Sequence, residues 1–168
     1  MKIYLIRHGI AALRETWEKP DGERPLTDKG RRRTEQVAAA LCRLGIAFTH
    51  LYTSPLVRAR QTAEIIQKKL KIHKLEETAL LQNDAEPDAL LSFLNQHKDD
   101  TVLGLVGHEP QMSALLAFLV SGEQGPFTTF KKAGVALVEG EVPAQPGGFT
   151  LRWLLEPKIL CEIVRGKK

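Results

Sequence analysis

Apolar positions along the chain fall into short runs that alternate with longer stretches of helical spacing. Ile3 to Ile6 is an uninterrupted apolar run bounded by Gly9, which reads as a buried strand. A polar, proline-containing loop follows from Glu15 to Pro25. Thr27 then caps a helix that runs to Leu44, with Val37, Leu41 and Leu44 on one face and Gly45 as its stop. Phe48 to Thr53 predicts a second strand. Ser54-Pro55 opens the next helix, serine as N-cap and proline at the first helical position, and this helix continues to Leu70.

Lys74 to Glu76 predicts a short strand, followed by an irregular segment through Asp84. Pro87 starts a helix striped by Leu90, Leu91 and Leu94. Thr101 to Val106 has the near-continuous apolar character of a central strand covered on both faces. Pro110 begins a helix that Gly122 ends, with Met112, Leu115, Leu116 and Leu119 as its core stripe. Val135 to Val138 and Phe149 to Leu155 predict two last strands joined by a turn-rich loop, Pro143 to Gly148. Strands alternating with helices predict a three-layer α/β domain, a mixed and mostly parallel sheet flanked by helices. At 168 residues the chain suits one such domain over 1–168, without an internal repeat or linker.

Composition narrows the function classes. The chain has 24 Lys and Arg against 20 Asp and Glu, a formal net charge of +4. That excess suits an anionic substrate but is too small to argue for nucleic acid, and the few aromatics (6%) are not interleaved with basic residues. Cys42 and Cys161 lie far apart with no Cys-x-x-Cys pattern, which argues against a disulfide framework or zinc site and for a reducing compartment. The apolar start is too short for a secretory signal, and Ala114 to Val120 is too short for a membrane helix. A soluble, cytoplasmic protein is expected, with no membrane partner.

Three polar segments share one placement, at or just past the end of a predicted strand: Arg7-His8-Gly9, Ser54 to Arg58, and Gly107-His108-Glu109-Pro110. Ligands of open α/β sheets bind outside the carboxyl ends of the strands, so these residues are candidates for a single pocket. Helix N-termini nearby favour an anion. Arg7 and Arg58 offer forked donors suited to phosphate oxygens, and His8 and His108 offer ring nitrogens that act as nucleophile, proton carrier or donor. Taken singly, either histidine reads as a structural hydrogen-bonder and Arg58 as a solvated helix residue pairing with Glu64 or another neighbour. Three such segments in register with three strand ends point instead to phosphate handling.

The same residues carry a resemblance. Arg7-His8-Gly9 after an N-terminal strand resembles the signature of the histidine phosphatase superfamily, which includes phosphoglycerate mutases. Thr53 to Ala63, which contains Arg58, looks like its second motif, and Gly107-His108 like its third. Arg24-Pro25-Leu26-Thr27 followed by Gly30, Val106 to Pro110, and Trp153 to Lys158 resemble the SixA-like phosphohistidine phosphatases. The resemblance spans nearly the whole chain and implies a phosphoglycerate mutase-like fold.

It also implies a mechanism. His8 is the expected nucleophile, forming a phosphohistidine intermediate, while Arg7, Arg58 and His108 surround the transferring phosphoryl group; no metal or other cofactor is required. The expected partner is a protein bearing phosphohistidine, with phosphate as product. The alternatives are a small phosphomonoester substrate handled by the same chemistry, or a module that only binds phosphoprotein. A general acid is not identified: Glu76, Glu77 and Asp84 are the candidates, but each reads as a solvated loop charge and none is placed in the catalytic set. Ile10 departs from the acidic or polar residue that many members carry after the Arg-His-Gly triplet. Arg31-Arg32-Arg33, Lys131-Lys132 and the tail from Arg165 to Lys168 read as solvated charge or as docking elements for an acidic partner. Trp17 either covers the pocket or packs, and His50, His73 and His97 read as surface residues.

Overall fold

Alternation within the first strand, β1 (Lys2–Arg7), sends Ile3 and Leu5 to one face of a sheet and Tyr4 and Ile6 to the other, and all four are buried. A strand buried on both faces requires helices on both, and the chain supplies them. The computed structural model describes residues 1–123 and 125–166. In it β1 is followed by α1 (Asp28–Arg43), β2 (His50–Thr53), α2 (Val57–Leu70), β3 (Leu75–Glu77) and α3 (Pro87–Leu94). Next come β4 (Val102–Gly107), α4 (Gln111–Ser121), β5 (Val135–Gly140), β6 (Phe149–Leu155) and α5 (Pro157–Arg165).

The sheet order is β3-β2-β4-β1-β5-β6. The first four strands are mutually parallel, β5 runs antiparallel to β1, and β6 returns antiparallel to β5. One core packs α3 and α4 against Ile3, Leu5, Leu103 and Leu105. The other packs α1, α2 and α5 against Tyr4, Ile6, Leu51 and Val106. This is the mostly parallel three-layer arrangement that the sequence predicts. Among the described residues, no helix is long and apolar enough to cross a membrane, and Cys42 and Cys161 are both free.

Several local expectations hold in detail. Thr27 caps α1, its hydroxyl accepting the Gly30 N–H at 3.0 Å. Pro87 sits in the first turn of α3, Gly122 ends α4 in the left-handed conformation (φ 78°), and Met112, Leu115, Leu116 and Leu119 are buried. Ser54 does not cap a helix. The chain makes a further turn through Pro55 and Leu56, α2 starts at Val57, and Leu56 stands at its N-cap without a side-chain bond. The second strand begins at His50 rather than Phe48: the Phe48 ring packs beside Tyr4 in the core, and at Thr49 the side-chain hydroxyl accepts the Val102 N–H at 3.2 Å.

α5 is a further helix, beyond the elements that the periodicity predicts, and it shares only Arg165 with the charged tail. Pro157 opens it, and Leu160, Ile163 and Val164, at three- and four-residue spacing, dock on the α1–α2 side. Arg165 is its last residue, while Lys167 and Lys168 lie outside the described residues. His97 is half-buried, its ring 5.1 Å from that of Phe93 and 5.7 Å from that of Tyr52. It belongs to a small aromatic cluster rather than to the open surface.

Candidate active site

β2, β4 and β1 are consecutive in the sheet and parallel, so their carboxyl ends lie side by side at one edge of the domain. That registration brings the three polar segments together. The His8 N–H donates to Gly107 O at 3.0 Å, and the Ser54 N–H donates to Val106 O at 3.0 Å, which ties the chain beyond β1 and β2 to the end of β4. His8, Arg58 and His108 are 7%, 4% and 1% exposed, and Arg7 is half-buried beside them. The rings of His8 and His108 lie 5.0 Å apart.

The segment after His8 is held by the second motif. Gly9 N–H donates to Thr62 Oγ1 at 3.0 Å, and that hydroxyl donates to Arg58 O at 2.7 Å. Gln61 Oε1 accepts the Leu26 N–H at 2.8 Å. One face of α2 thus carries Arg58 and also locks the two loops that shape the site. Two glycines permit the close approach. A Cβ on Gly9 would meet Thr34 Oγ1 at 2.5 Å, and one on Gly30 would meet Ile10 O at 2.0 Å.

His8 Nδ1 lies 2.7 Å from Gly9 O. A carbonyl oxygen only accepts, so Nδ1 carries the hydrogen and Nε2 keeps its lone pair. Burial pushes the His8 pKa down to about 2, helped by His108, Arg58 and Arg7 and opposed by the Gly9 bond. The imidazole is therefore neutral across the physiological range. Burial first, then Arg58, pulls His108 down to about 4 against the opposing charge of Asp21.

His108 Nε2 lies 2.8 Å from Ser54 Oγ, which also accepts the Leu56 N–H at 3.3 Å. The hydroxyl hydrogen has no other acceptor among the described residues, so it goes to Nε2 and the hydrogen of His108 sits on Nδ1. Nδ1 of His108, Nε of Arg7 and Nε of Arg58 are all buried without a protein partner. Three unpartnered donors beside the free lone pair of His8 Nε2 suit an oxyanion such as a phosphoryl group, since each buried donor otherwise costs about 1–3 kcal/mol.

Two carboxylates at the site are not singled out by the sequence. Asp21, in the loop after Gly9, accepts from Arg24 Nε at 2.8 Å and pairs with Arg58 Nη1 at 3.1 Å; Arg58 Nη1 also donates to Asp21 O at 2.9 Å. Arg58 thus pairs with Asp21, while Glu64 pairs with Arg60. Arg24 and Arg58 hold the Asp21 carboxyl below its ordinary range despite some burial. Glu109 accepts from Ser113 Oγ at 2.6 Å and from the Phe130 N–H at 2.9 Å, and Phe130 O accepts from Arg7 Nη1.

Glu76, Glu77 and Asp84 are exposed, and Glu77 lies 3.7 Å from Arg60. Trp17 is half-buried and donates its indole N–H to Pro20 O at 3.1 Å, within its own loop. Among the described residues no group of three or more His, Cys, Asp or Glu side chains is arranged to hold a metal ion.

Known proteins resemble this chain over most of its length. The model of the histidine phosphatase superfamily (branch 1) matches residues 3–84. Phosphohistidine phosphatase SixA of Escherichia coli (strain K12) is 30% identical over 162 residues, 94% of each chain. An uncharacterized protein of Picosynechococcus sp. (strain PCC 7002) is 41% identical over 141 residues, 80% of this chain and 82% of its own. A solved structure of the protein histidine phosphatase SixA complexed with tungstate superposes with a TM-score of 0.84 at 26% identity, covering 95% of this chain and 99% of the other. With a full-length relative at that identity, the motifs at three adjacent strand ends and the shared fold, the chain belongs to the histidine phosphatase superfamily and is a homologue of SixA.

Proposed function

We propose that this protein removes phosphate from phosphohistidine on a protein, through a phosphohistidine intermediate on His8. The observation that carries the reading is the tautomer of His8: Nδ1 is committed to Gly9 O, which leaves Nε2 as a buried, neutral nucleophile. Nε2 attacks phosphorus in line, a P–N bond forms, and the P–N bond to the substrate imidazole breaks. Arg7, Arg58 and Nδ1–H of His108 hold the three equatorial oxygens as charge develops. Water then attacks phosphorus, the bond to Nε2 breaks, and phosphate leaves with both hydrogens of the water while His8 returns to its neutral form.

The leaving group favours a phosphoramidate over an ester. An alkoxide must be protonated as it departs, and both carboxylates near the site are engaged: Asp21 by two arginines, Glu109 by Ser113 and Phe130. A phosphorylated imidazole whose other nitrogen already carries a proton departs as neutral imidazole and needs no acid from the protein. Free cysteines and the absence of a membrane-length helix among the described residues suit action on a phosphoprotein in the cytoplasm.

The test is phosphate release by wild type and His8→Ala on a phosphohistidine protein and on a panel of small phosphate esters. Preference for the phosphoprotein, lost in His8→Ala, supports the reading. Preference for one small ester moves the substrate to metabolism. Phosphate binding with no release from any substrate identifies a binding module instead.

A further inference from the structure

Beyond the phosphoryl site, a groove of about 470 Å³ opens from Arg7 and Ile10. Five cations line it from three separate segments: Lys29 and Arg33 of α1, Lys131 and Lys132 of the loop before β5, and Lys158 in the first turn of α5. Against them stands one carboxylate, Glu156. None of the five is in an ion pair with a described residue; the ion pairs lie at Lys2, Arg24, Arg58, Arg60 and Arg152. A net charge of only +4 for the whole chain conceals this concentration.

We propose that this groove receives an acidic segment of the phosphoprotein substrate, flanking the phosphohistidine and held in register by Arg7 at the groove's inner end. The proposal rests on the phosphoprotein reading and gives that substrate its surface chemistry. Ile10 takes a place here. Its half-buried side chain lines the groove where an acidic residue would add a second negative charge, so the isoleucine leaves the cationic field nearly unopposed. Of the arginine run, Arg33 lines the groove and is half-buried, whereas Arg31 and Arg32 are exposed. Cations placed around a trough attract and orient an extended acidic segment, and they do so most strongly at low ionic strength.

Two readouts test this on the full chain. The first is binding of an oligoglutamate peptide to wild type, to Lys131→Glu/Lys132→Glu, to Lys158→Glu, and to Lys68→Glu on the distant end of α2, over a salt series. The expected result is a Kd that rises with salt, weakens about tenfold or more in the groove variants, and is unchanged in Lys68→Glu. Glu156→Gln strengthens binding and Ile10→Asp weakens it.

The second readout is kcat/KM on an acidic phosphohistidine protein relative to p-nitrophenyl phosphate, which falls by a similar factor in the groove variants through KM. Peptide binding that is absent at low salt, or indifferent to these substitutions, overturns the proposal. So does an equal loss on both substrates, which assigns the cations to the phosphoryl group itself. If wild type hydrolyses only small esters yet binds oligoglutamate through these residues, the substrate reading fails and the acidic docking surface stands. Hydrolysis of the phosphoprotein with an unchanged ratio in the variants does the reverse.

Discussion

The hydroxyl of Ser54 lies 2.8 Å from Nε2 of His108, at the ends of two neighbouring parallel strands and out of contact with solvent. The pair is set by fold rather than by local sequence. It sets the tautomer of His108, because a hydroxyl that donates to Nε2 obliges Nδ1 to carry the hydrogen that the proposed mechanism uses.

Removing that hydroxyl frees the tautomer. In Ser54→Ala, the His108 ring loses its hydrogen-bond partner among the described residues, and Nδ1–H is no longer enforced where the proposed mechanism places the phosphoryl oxygens. We expect kcat to fall about tenfold to a hundredfold, the loss of one donor worth ~1–3 kcal/mol, with a smaller change in KM. An unaltered kcat in a folded Ser54→Ala protein would show that the tautomer of His108 is fixed by other means.

Glu109 acts on Arg7 through the backbone of Phe130, since its carboxylate accepts the Phe130 N–H and Phe130 O accepts from Arg7 Nη1. In the proposed mechanism it is a positioning residue. Glu109→Ala should raise KM for any phosphorylated substrate by about tenfold, roughly the worth of one hydrogen bond to a charged group, while Glu109→Gln, which keeps an oxygen acceptor, restores most of it. Equal effects of the two substitutions would refute a geometric role and point to the charge.

Gly30 is dictated by the neighbour it faces. A Cβ there would sit 2.0 Å from the backbone oxygen of Ile10, which cannot rotate away. Gly30→Ala should destabilise the protein by about 3 kcal/mol or more, because the loop after His8 must lift off α1. Gly22→Ala, whose nearest contact is a leucine methyl at 3.3 Å, should change stability by less than about 1 kcal/mol. Denaturant midpoints of the two variants compare these directly.

These residues mark what a single sequence discloses. Period-two and helical spacing, with Thr27, Pro87 and Gly122 as punctuation, disclosed most elements because each signal is local. Placing the Arg-His-Gly, Ser54–Arg58 and Gly107-His108 segments at strand ends followed from the same periodicity. Ser54-Pro55 misled because it satisfies the local rule for an N-cap, whereas His108, far along the chain, claims the hydroxyl. Asp21 was invisible for a related reason. Its loop is folded back by an Arg24 bond to Ala12 O and a bridge between Ala11 and Leu26, contacts that leave no periodic trace. α5 leaves little trace in the sequence because its short apolar stripe directly follows β6 and merges with it in the pattern.

Acid should weaken the fold through the site itself. His8 and His108 have pKa values pushed down to about 2 and about 4, against ~6.5 in the unfolded chain. At these two rings the native state then binds fewer protons than the unfolded state between the folded values and ~6.5. The stability contributed by keeping these rings neutral is fully present above that pH and declines as pH falls toward the folded values. Each histidine contributes a slope of at most about 1 kcal/mol per pH unit, so the two together give roughly 2 near pH 5. His97, lowered by burial and by His50, adds a smaller share. Urea unfolding between roughly pH 5 and pH 7 should show this dependence in wild type, and His8→Asn should shed about one proton's worth of it. A wild-type curve that is flat over that window, or a slope identical in His8→Asn, would mean that His8 is not held neutral by burial and would remove the physical basis for its readiness as a nucleophile.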